Sequence, residues 1–422
     1  MGAPTMNRLA LTRLRDTLHL SALPTNRFAN AVQVSSSGEV SDDSSFDETA
    51  AARRPDVAFI VSCKSVPGGA QQVALNIAEE FTKRGLTVDF VMVSYGEGLA
   101  EVPGSVRVVR LRGRARMLVP TLRRYLKTAK PKVVISLAFH INILTALASI
   151  GLQERPRLIL SVHNSLSQTL RAIGWPASLW TKFATMFLYR LADGLVAVSE
   201  GAADDLARVA KLNRKSIRTI YNPVIRSDYH TLVSEIPSHP WASGKTCPLV
   251  VSIGRLSEQK NHAVLIRAFA KVISTRDARL LILGEGNLRK NLENLILGLG
   301  LEGSVALPGY VDNPLPYMKA ADVFVLSSDW EGFGNVLAEA MAAGTPVIST
   351  DCPHGPREIL ADGKWGKLVP VGDPDALAEA MLEILRSGGA DARPRARQFS
   401  VEAAAEKYLK AVQDVQAEPA RS

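Results

Sequence analysis

Short apolar runs alternating with helical stretches, in two successive series, predict an α/β protein of two doubly wound parallel-sheet domains. Three observations carry that expectation. The apolar runs are continuous rather than alternating, as strands covered on both faces require. Helical stretches separate several of them, so neighbouring strands are joined by crossovers and lie parallel. The pattern then restarts after a Pro- and Ser-containing stretch at 236–247, which splits the chain near residue 240.

Taken in order, residues 1–54 stand apart. The part from 30 to 54 is rich in Ser, Asp, Glu and Ala. It holds too few large apolar groups to offset its ordering entropy, and is expected to be a disordered leader. The first two dozen residues mix short apolar pieces with Arg8, Arg13, Arg15 and Asp16, without a signal-type apolar core. The first domain is expected over 55–240. It opens with a strand at 56–62, a turn through Pro67, Gly68 and Gly69, and a helix at 70–84. Further strands are expected at 86–93, 133–137, 158–162 and 194–198. Ser136, His140, Asn142 and Thr145 interrupt the apolar run at 133–150, so it reads as a buried strand feeding a helix, not a membrane span.

The second domain is expected over 241–398. Its strands fall at 249–253, 279–283, 305–307, 323–326 and 346–349, with helices at 261–274, 287–297, 337–343 and 375–385. A last helix at 401–415, within a terminal segment 399–422, follows the Arg/Pro-rich stretch 392–398. Ligands of such sheets bind beyond the carboxyl ends of the strands, so two facing domains imply an interdomain cleft.

Composition agrees with two cores. The chain has 422 residues, 46% of them hydrophobic and 22% charged. Cys63, Cys247 and Cys352 have no paired spacing, which argues against a zinc site or disulfide framework and fits a reducing cytoplasm. The formal net charge is +9, yet residues 107–132 alone carry ten Lys or Arg and no acid. Met117, Leu118, Val119, Leu122, Tyr125 and Leu126 are interleaved there. The strip suits in-plane contact with anionic lipid through Arg112, Arg114, Arg116, Arg123 and Arg124, and equally an ordinary solvated basic helix. Trp175, Trp180 and Phe183, near Arg171 and Lys182, offer an interfacial anchor. No nucleic-acid-binding fold accompanies the strip, so no nucleic acid is expected as partner.

The chemistry concentrates in the second half. Glu331-Gly-Phe-Gly-Asn-Val-Leu-Ala-Glu339 follows the apolar run 321–328. One carboxylate therefore sits at a strand exit and another on the helix it feeds. Unpaired N–H groups at a helix start attract phosphate, and carboxylates accept from sugar hydroxyls. Arg255 and Lys260 share one loop after a strand, where two fixed cations hold a diphosphate and stabilise it as a leaving group. Gly284 lies in another strand-exit turn, and the Gly309, Tyr310, Val311 loop can border a flat base. Each feature alone also fits a solvated loop. Asp373 and Asp375, spaced like a metal-binding Asp-x-Asp, precede a helix and read as its N-terminal caps.

Together, SIGRLSEQKN, LLILGEGNLRKNLENLI, the long segment from VALPGYVDN to GPREIL, and GKLVPVGDPDALAEAM resemble retaining glycosyltransferases of family 4, continuously over about 249–384. PGGAQQVALNIAEEF, SVHN, VAVSEGAADDLA and TIYNPV extend the likeness more loosely into the first half. The resemblance implies the GT-B fold: two Rossmann-like domains facing a cleft, with the C-terminal helix crossing back. It implies transfer of a sugar from a nucleotide diphosphate, with retention, onto a lipid-linked or glycan acceptor. The DCPHGPREIL segment resembles members using uridine-diphosphate sugars. Arg255 and Lys260 would hold the diphosphate, Glu331 the transferred sugar and Glu339 the ribose. Phe333, Gly334, Asn335 and Val336 would bring backbone groups to sugar and phosphate. Gly254, Gly284, Tyr310 and Val311 would complete the donor site. Gly68 and Gly69 would face phosphate and acceptor, and His163 would lie near the reacting centre. Neither metal nor cofactor is expected. The implied place is the cytoplasm, peripheral to the inner membrane face. Two other readings fit less of the pattern: a nucleotide-sugar epimerase of the same fold, and a non-catalytic basic scaffold at membranes or nucleic acid.

Overall fold

The computed structural model describes residues 54–63, 69–94, 106–112 and 117–419. The expectations for residues 1–53, Gly68, Arg114, Arg116 and the Arg112 side chain lie outside the described residues. The first sheet has seven strands: β1 (Val57–Cys63), β2 (Val88–Ser94), β3 (Arg107–Arg112), β4 (Val133–Leu137), β5 (Arg157–Val162), β6 (Gly194–Ala197) and β7 (Ile217–Thr219). They pair in parallel in the order β3-β2-β1-β4-β5-β6-β7. The second has six: β8 (Leu249–Ile253), β9 (Arg279–Leu283), β10 (Val305–Gly309), β11 (Val323–Leu326), β12 (Val347–Thr350) and β13 (Lys367–Val369). These too are parallel, ordered β10-β9-β8-β11-β12-β13.

Continuous apolar strands suit this burial: every residue of β4 and of β11 is buried. The strands not anticipated are β3, β7 and β13. All three are sheet edges. Two are only three residues long, and β3 reads RVVRLR, so its arginines interrupt the apolar run that marks the inner strands. In each sheet the order reverses once, between β1 and β4 and between β8 and β11. Crevices at the carboxyl ends of these strands are where doubly wound sheets place ligands.

The last helix, Val401–Ala417, returns to the first domain. Its Ala405, Tyr408 and Val412 are buried in the same cluster as Phe59, Ile77 and Phe81. Two segments thus cross between the domains, and they pair: Val224 and Ile225 N–H donate to Phe399 O (2.9 and 3.1 Å), and Val401 N–H to Ile225 O (3.0 Å). Beside them Tyr221, Phe333 and Phe399 form an aromatic triad with ring centroids 5.4–5.6 Å apart.

Candidate active site

The loops leaving β8 and β11 build the centre of the cleft. Asp329 N–H donates to Gln259 O (2.8 Å). Gln259 Nε2 donates to Trp330 O (2.9 Å), Asn261 Nδ2 to Asp329 Oδ1 (2.8 Å), and Ser327 Oγ to Lys260 O (2.8 Å). This zip places Lys260 Nζ 2.5 Å from Glu331 Oε1, which also accepts from Ser328 Oγ at 2.7 Å. Two donors on one oxygen fix the Glu331 carboxylate and turn Oε2 toward other partners. Gly254 makes room for the lysine, since a Cβ there would stand 3.1–3.2 Å from its methylenes. Arg255, in the same loop, is exposed and has no side-chain partner among the described residues. The two cations expected to act together are thus one held and one projecting.

Glycines let the neighbouring strand exits touch. A Cβ on Gly284 would lie 2.1 Å from Gly254 O, and Gly284 N–H donates to Gly309 O (2.7 Å). Tyr310 is exposed beyond that contact and Val311 half-buried. Gly334, with φ of 100°, starts the helix Asn335–Ala342 with no side-chain cap, so the first N–H groups point into the cleft unclaimed by a capping side chain. The Phe333 ring faces away, into the aromatic triad, and leaves only its backbone for the cleft. The Asn335 side chain accepts from Asn222 Nδ2 (2.8 Å), and Val336 is half-buried.

Glu339 lies one turn along that helix. Burial pushes its carboxyl up to about 7, with Lys260 pulling partly back. It lines a cavity of about 150 Å³ with Asn335, Tyr229 and Asp312 from one side and Gln72 and Asn76 from the other.

The opposite wall comes from the first domain. Helix Gly69–Lys83 begins at the switch point after β1. A Cβ on Gly69 would be 3.2 Å from Asn335 Nδ2, so two helix N-termini face each other. His163 follows β5. Its Nε2 shares a hydrogen bond with Ser161 Oγ (3.0 Å), while Nδ1 is buried without a partner. Burial lowers the ring pKa to about 4, so it is neutral near pH 7. Its carbonyl oxygen lies 2.1 Å from where a Gly332 Cβ would stand. Ser199 Oγ donates to Gly332 O (2.8 Å), and Glu358 accepts the N–H groups of Glu200 and Gly201 (2.8 Å each), capping a helix of the other domain.

Ser199, Ser328, Gly332 and Glu358 escaped the sequence reading. Ser328 was detectable as the hydroxyl ending an apolar run just before Glu331. The others depend on which surfaces meet across the cleft, which no local pattern encodes.

The basic strip needs correcting. Leu118, Leu122, Tyr125 and Leu126 are buried and face the core, so they form no lipid face. Arg107 pairs with Asp89 (2.5 Å), Lys130 with Glu154 (2.5 Å) and Lys132 with Asp56 (2.8 Å). Arg123 donates to the carbonyls of Ala148 (3.1 Å), Ile150 and Gly151 (3.2 Å), tying the end of helix Phe139–Ser149. It is a structural tie rather than a projecting lipid contact. Arg124 is exposed and engaged within the protein. Asp373 accepts from Asp375 and Ala376 N–H (2.9 and 3.0 Å), the capping role expected of it. Among the described residues no three His, Cys, Asp or Glu side chains converge as a metal site requires. No described helix is long and apolar enough to cross a membrane.

Two facing doubly wound sheets, with a fixed ion pair at the switch point of the second and a helix crossing back to the first, define the GT-B class. Residues 67–227 match the glycosyltransferase family 4 model and 236–404 the glycosyl transferases group 1 model. The chain belongs to this family.

It is 35% identical over 208 residues to N-acetylgalactosamine-N,N'-diacetylbacillosaminyl-diphospho-undecaprenol 4-alpha-N-acetylgalactosaminyltransferase of Campylobacter jejuni, covering 49% of this chain and 55% of that one. It thus spans about half the length of that relative. A second C. jejuni enzyme, GalNAc-alpha-(1->4)-GalNAc-alpha-(1->3)-diNAcBac-PP-undecaprenol alpha-1,4-N-acetyl-D-galactosaminyltransferase, is 25% identical and covers 85% of this chain and 98% of its own. Anabaena HepE, solved with UDP and glucose, superposes with a TM-score of 0.70 at 19% identity, over 85% of this chain and all of that one. At that identity the likeness shows the fold.

Proposed function

We propose that this protein moves a sugar from a nucleoside-diphosphate donor, a uridine-diphosphate sugar being favoured, to a hydroxyl of a lipid-linked or glycan acceptor, with retention of anomeric configuration. The observation that carries this reading is the Lys260–Glu331 pair, 2.5 Å apart where the β8 and β11 loops meet and beside the open N-terminus of helix Asn335–Ala342. A diphosphate entering there meets Lys260, Arg255 and that N-terminus, and Glu331 Oε2 accepts from sugar hydroxyls. Glu339 accepts from the ribose, and the base stacks beside Tyr310 and Val311. When the bond from the anomeric carbon to the phosphate oxygen breaks, its electron pair goes to the phosphate, where the fixed positive charge is greatest. The acceptor oxygen attacks the same face, from the His163 side, and its proton passes to the leaving phosphate. The positive charge comes from side chains and a helix dipole, so the transfer runs without metal. Undecaprenyl-diphosphate-linked names among the relatives support a lipid-linked acceptor, and hence work at the cytoplasmic membrane face.

The test is product analysis with a panel of nucleotide sugars and a polyprenyl-diphosphate-linked glycan, with and without EDTA. A new α-linked glycoside from an α-linked donor, formed equally in both, is expected. Free monosaccharide or epimerised donor alone would sink the transferase reading. Loss in EDTA restored by magnesium would sink the metal-free step.

A further inference from the structure

Two helices between β5 and β6, Leu166–Ile173 and Ala177–Leu188, contribute little to the core. Only Leu166 of the first and Thr181, Thr185 and Leu188 of the second are buried. Large apolar side chains face outward instead: Trp175 is 84% exposed, Phe187 69%, Trp180 48% and Phe183 44%, with Leu179 and Ile173 beside them. Leu179, Phe183 and Phe187 are four residues apart, and Trp180 is three before Phe183. All therefore lie along one helical stripe. A contiguous aromatic surface of this kind marks an interaction site.

Its charge says what covers it. Residues 155–192 contain five Arg or Lys and no Asp or Glu. Arg155, Arg157 and Arg190 are bonded within the protein, whereas Arg171 and Lys182 are exposed without a side-chain partner among the described residues. Tryptophans flanked by unneutralised cations suit the headgroup boundary of an anionic bilayer, where rings enter the acyl region and cations meet phosphate. A second copy of the chain fits less well, because a twofold contact through this stripe would bring cations together with no acid of the hairpin between them.

We propose that this hairpin is the membrane-docking element, inserting Trp175, Trp180, Phe183 and Phe187 into anionic lipid with Arg171 and Lys182 on the headgroups. The inference rests on the reading of the protein as a transferase of lipid-linked acceptors. The hairpin begins at Ser165, which caps its first helix two residues after His163. Docking there holds the wall of the cleft at the bilayer from which a lipid-linked acceptor enters. The surface is thus moved away from the basic strip at 107–132, where Leu118, Leu122, Tyr125 and Leu126 face the core and Met117 is the one large apolar side chain exposed among the described residues.

The full chain should sediment with phosphatidylglycerol vesicles, weakly with phosphatidylcholine vesicles, and show a blue shift of tryptophan emission on binding. Trp180→Ser with Phe187→Ser should weaken vesicle partitioning at least ten-fold while melting temperature and UDP affinity stay at wild-type values. Arg171→Gln with Lys182→Gln should weaken it several-fold and reduce its salt dependence. The proposal is overturned if the double aromatic variant binds vesicles as wild type does. It is equally overturned if wild type is a dimer in sedimentation velocity and that variant is a monomer. Transfer to a detergent-solubilised acceptor separates the two readings. Wild type that transfers there yet ignores vesicles overturns the docking element alone, whereas failure to transfer any sugar overturns the function beneath it.

Discussion

Lys260 and Glu331 share a salt bridge and Glu339 lies one turn into the helix that follows Glu331, yet their environments suit them to different tasks. In the proposed reaction Lys260 faces the atom where charge accumulates as the donor breaks, and such a contact strengthens in the transition state. Lys260→Ala should therefore lower kcat, by a factor on the order of 10² to 10³ if it equals the loss of one preorganised charge-stabilising donor. Glu331→Ala should damage both kcat and KM, since it orients the lysine and, in the proposed reaction, holds the sugar. Glu339→Gln should act mainly on KM, because the ribose is remote from the bond that breaks. Glu339 should also give donor affinity a pH dependence. Burial lifts its carboxyl from an ordinary 4.5 to about 7. Folding thus favours the protonated form, a stabilisation complete below 4.5 and lost as pH rises through 7. The carboxylate that best accepts from ribose therefore prevails only above 7, and the nucleotide-sugar Kd should fall between pH 6 and 8. Titration calorimetry of wild type and Glu339→Gln decides it. A variant with the same pH slope as wild type would remove Glu339 from the donor site.

At the level of elements, helix Phe139–Ser149 ends at Ile150 and a left-handed Gly151 (φ 65°), and Arg123, from the neighbouring helix Leu118–Ala129, reaches its end carbonyls. Arg123→Ala leaves those carbonyls short of a charged donor and should cost about 1–2 kcal/mol. Thermal unfolding should show a drop of a few degrees, whereas Lys127→Ala on the same helix should show none. An unchanged melting temperature for Arg123→Ala would make the tie ornamental. This arginine also shows where sequence reading stops. The strands around the switch points were legible because burial on both faces leaves an unbroken apolar run. The Asp373 cap was legible because its partners are two and three residues away. Arg123 finds its carbonyls 25 to 28 residues along the chain, and Asp89 meets Arg107 across two strands. A run of ten cations therefore looks uncompensated in sequence while the fold has placed acids and carbonyls against part of it. Lys260 and Glu331 are 71 residues apart and were joined only through family resemblance. The serines and asparagine that zip their loops carry no such mark.

For the molecule as a whole, the closed cleft depends on contacts that neither domain needs for its own core. Glu358 caps a helix of the first domain, Ser199 bonds to Gly332, and Gly332 packs on the backbone at His163. The two paired crossing segments and the Tyr221, Phe333, Phe399 triad lie beside this contact and are the natural pivot. Gly332→Ala tests whether closure matters. Its Cβ would lie 2.1 Å from His163 O, 2.8 Å from His163 C and 3.0 Å from Asn164 Cα, all backbone atoms that no rotamer change can move aside. The methyl therefore parts the domains at the pivot, leaving both sheets intact. Small-angle scattering should show a larger radius of gyration than wild type, with the melting temperature nearly unchanged. Because the proposed reaction draws its groups from both walls, kcat should fall by at least about ten-fold, as expected for loss of positioning, while nucleotide affinity, which the same proposal places on the second domain, should change little. A variant with wild-type scattering and wild-type kcat would mean that the cleft works without this contact, and that closure is not what brings His163 to the donor.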